Sequence, residues 1–358
     1  MKDEWRLIGT AELLADYPVQ WDRLNEMIHA GHPFSDRRFV FPLLQRFAGD
    51  DVRVAVLGEP ARPRALLVLQ PYRAGLWRSL QRSQAQVSPQ LMAAADLPAL
   101  GALFGALPGT VLAIDFLCQD PYFSALLVAP DAVSRRYERH SLTASIDLRG
   151  HFEAYWQARP RGLRQTIARS FKRAEAKGTP LRLVTVEAPD RIEDAVHRFG
   201  RLESRGWKGA EGTAVSPENA QGLFYAEVFR AFAETRQAIS YELYAGDKMI
   251  AQQLALASGT MCITLKTTYD ERHRELAPGR VLDYEMLRLE FARRRFDRIE
   301  LYTDADEAQL RWTTGDRWVE HVTCFRSPLV GTAYTVARAC TEGFRGWKER
   351  AALRSRTG

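Results

Sequence analysis

The chain has little cysteine: Cys118, Cys262, Cys324 and Cys340 are the only four in 358 residues, and no two form a C-x-x-C pair. That spacing predicts neither a disulfide framework nor a zinc site, and it suits a reducing compartment. There is no G-x-S-x-G elbow, no G-x-x-x-x-G-K loop and no H-E-x-x-H helix, so serine-hydrolase, P-loop and metalloprotease chemistry lack their signatures. Charge of one sign is also scarce. Fifty Lys and Arg against 44 Asp and Glu leave a net charge of +6, too small an excess at this length to indicate DNA. Met1–Thr10 carries charges and has no apolar h-region, so a cytoplasmic location is expected.

Long apolar runs are nearly absent as well. The exception is the uncharged stretch from Leu97 to Ile114, which Pro108-Gly109 divides. We read it as a buried helix over Leu97–Leu107 and a buried strand over Val111–Leu117, each too short to span a bilayer. What is present is ordinary globular composition at a length that predicts two packed domains. In the first, Val52–Leu57 and Ala65–Gln70 predict an antiparallel hairpin turned by Gly58, Pro60 and Pro63, with a further element at Ser79–Val87. None of these carries a motif with chemistry.

A second unit is expected to begin near Ser141, where alternation through Leu148 leads into a helical stretch from His151 to Lys177. Its later part is basic, with Arg159, Arg161, Arg164, Arg169, Lys172, Arg173 and Lys177 relieved only by Glu175. A solvated linking helix explains that charge, and so does a surface for a phosphate-bearing partner. From Leu181 the periodicity alternates between two and 3.6 residues. It predicts a strand at Leu181–Val186, a helix at Arg191–Ser204, and a second helix after Ser216-Pro217 running to about Arg236. An antiparallel meander of Ile239–Tyr244, Met249–Ala257 and Met261–Tyr269 follows. A helix then starts at Pro278-Gly279 and runs to about Phe296, before strands at Arg298–Tyr302 and Trp318–Phe325.

Three blocks stand in that order: Glu203-Ser204-Arg205-Gly206-Trp207-Lys208-Gly209 with Gly212-Thr213-Ala214, then Leu265-Lys266-Thr267-Thr268-Tyr269-Asp270, then Ala277-Pro278-Gly279. Together with the element order they resemble the GNAT branch of acetyltransferase-like proteins of cellulose or exopolysaccharide biosynthesis, distantly related to Fem-type transferases. The resemblance covers roughly His151 to Phe325. It implies an α+β GNAT fold, a mixed and largely antiparallel sheet flanked by helices, with acyl-CoA (acetyl-CoA first) as co-substrate and no metal. It also implies two tandem domains, a degenerate GNAT-like unit over 1–140 and an acyltransferase unit over 141–328; a basic amphipathic tail is expected over 329–358. The acceptor it implies is an amine or hydroxyl of a sugar or envelope-related precursor.

An acyl-CoA donor needs amides to meet its pyrophosphate, and the start of the helix near Gly279 supplies them through unpaired N–H groups and the helix dipole. Arg274-Glu275-Leu276-Ala277-Pro278-Gly279 resembles the GNAT pyrophosphate loop, although Ala277 replaces a glycine and Pro278 removes a donor. Arg274, Ala277, Gly279, Arg280 and Thr267 are therefore placed with the donor. The resemblance further implies that the strand Met261–Tyr269 splays from the strand at Arg298 to admit the pantetheine arm. Acyl transfer also needs a proton acceptor and a group to stabilise the leaving thiolate. Glu203, Tyr302 and Asp304 are the candidates. Trp207, Lys208, Lys266, Tyr269 and Asp270 are candidates for the acceptor wall, Lys266 because an amine in an apolar, Thr-rich strand needs a partner.

Three other readings stay open. Asp304-Ala305-Asp306 matches a D-x-D metal and nucleotide-sugar pattern; a Fem-like enzyme would take aminoacyl-tRNA through the basic helix; and a non-catalytic module would keep the fold alone.

Overall fold

Gly58, at a φ of 88°, turns β2 (Arg53–Leu57) into β3 (Ala65–Arg73), and the expected hairpin forms with Ala55 opposite Leu67. The computed structural model describes residues 4–128, 134–205, 215–216 and 218–337. Before the hairpin come β1 (Trp5–Ile8) and three helices, α1 (Thr10–Asp16), α2 (Pro18–His29) and α3 (Arg37–Phe47). After it come β4 (Leu76–Ser79), β5 (Gln90–Met92), α4 (Leu100–Ala106), β6 (Ala113–Gln119), α5 (Ala125–Val128) and the long β7 (Arg135–Asp147). The uncharged stretch divides at Gly109, whose φ is 79°, into the short α4 and β6. No helix among the described residues is long and apolar enough to cross a membrane.

The later elements are α6 (Phe152–Gln157), α7 (Arg161–Ala176), β8 (Leu181–Val186), α8 (Pro189–Glu203), α9 (Ala220–Ala233) and the meander β9 (Ala238–Ala245), β10 (Lys248–Ser258) and β11 (Met261–Tyr269). They end with α10 (Pro278–Arg293), β12 (Arg298–Glu300), α11 (Glu307–Leu310) and β13 (Gly315–Phe325). Three expectations need correction. The helical stretch from His151 is two helices, because Pro160, at the N-cap of α7, has no amide to continue the first. The helix expected after Ser216-Pro217 starts later, at Ala220, where the Asn219 side chain accepts the Gly222 amide at 2.8 Å; Pro217 lies outside the described residues. The strand expected to reach Tyr302 stops at Glu300, because Tyr302 takes a left-handed φ of 39°.

All the strands join one thirteen-stranded sheet. Its two ends repeat one pattern. β1, β2, β3 and β4 are antiparallel neighbours, and β4 then pairs parallel with β6. β8, β9, β10 and β11 are likewise antiparallel, and β11 pairs parallel with β12. The strand that closes each half comes from the far side of the other. β13 lies against β6, β7 lies against β12, and β7 and β13 pair antiparallel in the middle. The position 140/141 thus falls inside β7.

Helices cover both faces, so β9 and β10 are buried on both sides and read as nearly continuous apolar runs. One core packs α6, α7 and α10 on the sheet through Tyr155, Ile167 and Leu287. A second, on the opposite face, joins Phe34, Phe39 and Leu43 of the first half to Phe224 and Phe229 of α9. That shared core joins the halves in addition to the strand pairing.

Candidate active site

β11 and β12 pair over three residues only, Met261–Ile263 against Arg298–Glu300. Past that point two local irregularities part them. The pairing of β11 with β10 shifts register between Leu254 and Ala255, leaving Leu265 as an extra residue that bends the strand. On the other side the left-handed Tyr302 turns the chain out of the sheet. The splay implied by the resemblance is therefore present, and a cavity of about 440 Å³ opens in it. Thr264–Thr267 and Leu301–Asp304 form two walls, Asp283, Met286 and Leu287 of α10 a third, and Gln86 reaches in from the first half.

Four polar groups define the chemistry of this cavity. Gln253 is 4% exposed, donates to Thr267 Oγ1 at 3.0 Å, and has no partner for its Oε1; Gln86 Oε1 is buried and unpaired too. Buried carboxamide oxygens without partners are costly, so a ligand carrying N–H groups fits here. Asp283 is half-buried among apolar neighbours, and burial pushes its carboxyl up to about 7. Sequence reading missed it. The available signal was one acid in the turn Val281-Leu282-Asp283 of an otherwise apolar helix face. Lys266 turns its ammonium to Glu203 at 3.4 Å, over the rings of Tyr225 (5.3 Å) and Phe199 (5.9 Å). Glu203 is buried at the end of α8 and accepts the Val215 amide at 2.9 Å. Glu203 thus partners Lys266.

The start of α10 precedes the residues that wall the cavity, and Arg274, Ala277, Gly279 and Arg280 do not themselves line it. Ala277 caps the helix at a left-handed φ of 48°, the conformation for which a glycine was expected, and Pro278 occupies the first helical position. The amides of Gly279 and Arg280 then have no acceptor within the helix. A Cβ on Gly279 would meet only the Tyr269 ring, at 3.6 Å. Two of the acids nearby, Asp270 and Glu275, are already paired. Asp270 accepts both the amide and the guanidinium of Arg272, the latter at 2.6 Å, which holds its carboxyl down at about 2. Glu275 pairs with Lys177 at 2.7 Å. Asp270 thus caps the loop and does not line this cavity, while Arg274 and Arg280 are exposed and have no ion pair among the described residues.

The remaining candidates divide. Tyr302 lines the cavity with its ring, but its hydroxyl points into a buried network, donating to Asp120 at 2.6 Å and accepting from His32 Nε2 at 2.9 Å. The tautomer follows from the Phe34 amide, which donates to His32 Nδ1. Burial, with Asp120 and Glu300 nearby, raises the Tyr302 hydroxyl well above its ordinary range. Asp304 lines the cavity and accepts the Leu142 amide at 3.2 Å, whereas Asp306 caps α11 in a reciprocal box with Gln309. Both members of the D-x-D pair thus accept backbone amides. Trp207 and Lys208 lie outside the described residues.

A four-stranded antiparallel run, a parallel pair that splays, and a helix walling the gap make up the GNAT fold. Residues 161–310 match the family model described as an acetyltransferase (GNAT) domain. No curated protein matches the sequence. Among solved structures, FemX aligns with a TM-score of 0.57 at 10% identity, over 92% of this chain and 99% of that one. A C-terminal domain assigned to a lysylphosphatidylglycerol synthetase from Agrobacterium fabrum aligns at 0.54 with 12% identity, over 89% and 95%. L-PGS from Bacillus licheniformis aligns at 0.51 with 13% identity, over 90% and 96%. At these identities the likeness establishes the fold alone.

Proposed function

We propose that this chain transfers an acyl group, acetyl in the first instance, from acyl-CoA to an amine or hydroxyl of a sugar or envelope-related precursor. The observation that carries the donor is the cavity in the splay of β11 and β12, walled by Asp283, Met286 and Leu287 of α10, the helix whose first turn offers the free amides of Gly279 and Arg280. A pantetheine arm brings amide N–H groups to the unpaired oxygens of Gln86 and Gln253, and its pyrophosphate meets the helix start with Arg274 and Arg280. The acceptor nitrogen or oxygen attacks the thioester carbonyl, the carbon–sulfur bond breaks, and the acceptor's proton passes to a base. We assign that base to Asp283, whose raised carboxyl exchanges protons near neutrality.

A second reading, an aminoacyl-tRNA-dependent transferase, draws on the likeness to FemX and on two basic surfaces. These are α7 and a crevice lined by Arg198, Arg201, Arg205 and Lys248. Calorimetric titration separates the two. Saturable acetyl-CoA binding that Gly279→Val weakens at least tenfold, with the fold intact by circular dichroism, supports the first. Absence of acyl-CoA binding with salt-sensitive binding of aminoacyl-tRNA replaces it by the second.

A further inference from the structure

We propose that Cys118, His140 and His321 bind one thiophilic divalent transition-metal ion, zinc in the first instance, at the seam where the two halves exchange strands. Their donor atoms lie within 4.8 Å of one another. They come from three adjacent strands, β6, β7 and β13, and the two imidazoles stack with centroids 4.3 Å apart. This site lies outside the cavity described above and does not depend on the acyltransferase reading.

Each of the three residues sits on a defect of the sheet. The pairing of β7 with β13 passes from Ser141 opposite Val319 to Arg139 opposite Glu320, so His140 is an extra residue. The pairing of β13 with β6 passes from Gln119 opposite Glu320 to Phe116 opposite Val322, so His321 faces both Leu117 and Cys118. Cys118 itself has a φ of 49°, rare for a side chain other than glycine. Bulges re-aim side chains at the cost of ladder hydrogen bonds, and strained backbone collects at sites with a task. Two bulges and one left-handed residue converging on a thiol and two imidazoles form a donor set of the kind that selects zinc.

His321 Nδ1 accepts the Cys118 amide at 3.0 Å, which fixes the ring against Cys118, whose side chain is buried. Binding releases the thiol proton as the thiolate–metal bond forms. Bonds of about 2.0–2.3 Å put tetrahedral donors about 3.5 Å apart. The cluster therefore closes by side-chain rotation around the ion, with solvent as the fourth ligand. His140 is exposed and gives the ion access.

The test uses the full chain, stripped with a chelator and titrated with cobalt(II). One equivalent is expected to produce a thiolate-to-cobalt charge-transfer band, lost in Cys118→Ser, weakened in His140→Ala and kept in Cys324→Ser. Zinc is expected to raise Tm in the parent chain and not in His140→Ala. No charge-transfer band in the parent chain, or a band that survives Cys118→Ser, overturns the proposal. If Cys118→Ser does not fold, the exposed His140→Ala decides: cobalt binding equal to that of the parent overturns it.

Discussion

Asp283 shows how a carboxylate set among apolar neighbours in the cavity costs stability. Its pKa is raised from the ordinary carboxylate range to about 7, so the folded chain holds a proton that the unfolded chain releases. The stability this contributes is complete below the ordinary range and is lost as pH rises to about 7. Asp283→Asn is therefore expected to raise Tm at neutral pH and to flatten the dependence of Tm on pH between about 4 and 7. In the transfer reaction it is expected to abolish the rise of turnover with pH near neutrality while leaving donor affinity in place. Tyr302 is the opposite case, a residue whose hydroxyl is spent on structure. Tyr302→Phe leaves the buried His32 Nε2–H unpaired and takes one of several donors from Asp120, and it is expected to cost about 1–2 kcal/mol in denaturant unfolding, with acetyl-CoA affinity unchanged.

At the level of elements, the decisive one is α10. Its entry residue, Ala277, is held at a φ of 48°, where an L side chain costs about 1 kcal/mol and glycine costs nothing. Ala277→Gly is expected to stabilise the chain by up to about 1 kcal/mol and to preserve donor binding, measured by thermal unfolding and calorimetry. The neighbouring 3₁₀ turn, Glu271–Leu276, depends on Asp270 accepting from Arg272, and its Glu275 anchors it to the basic α7 through Lys177. Part of the basic charge of α7 is thereby spent on docking. The splay of β11 and β12 is likewise a product of two small irregularities, one extra residue at Leu265 and one left-handed residue at Tyr302.

The whole molecule is bound across its middle. Arg317 of β13 bridges Asp120, which follows β6, at 2.5 Å and Glu300 of β12 at 2.9 Å, with both carboxylates fully buried. Burial raises the Asp120 carboxyl, but the Arg317 guanidinium and the Tyr302 hydroxyl outweigh it and hold it low. Asp120→Asn removes one charge from a buried network and is expected to cost about 3–5 kcal/mol. Because strands and core are shared between the halves, we expect one cooperative transition in calorimetry for the parent chain. Two resolved transitions would mean that the halves unfold independently.

Periodicity and turn chemistry by themselves determined the order of elements from Leu181 onward, the hairpin near Gly58 and the helix start at Gly279, because each depends on residues adjacent in the chain. Local chemistry also pointed to Lys266 as an amine in need of a partner. Which partner was beyond it, since Glu203 reaches Lys266 only when α8 packs on β11. The commitment of Tyr302 to His32 and Asp120, the reach of Gln86 into the cavity, and the meeting of Cys118, His140 and His321 join residues remote in sequence. Those meetings were decided by the exchange of β7 and β13 between the halves, a long-range pairing that no local pattern encodes.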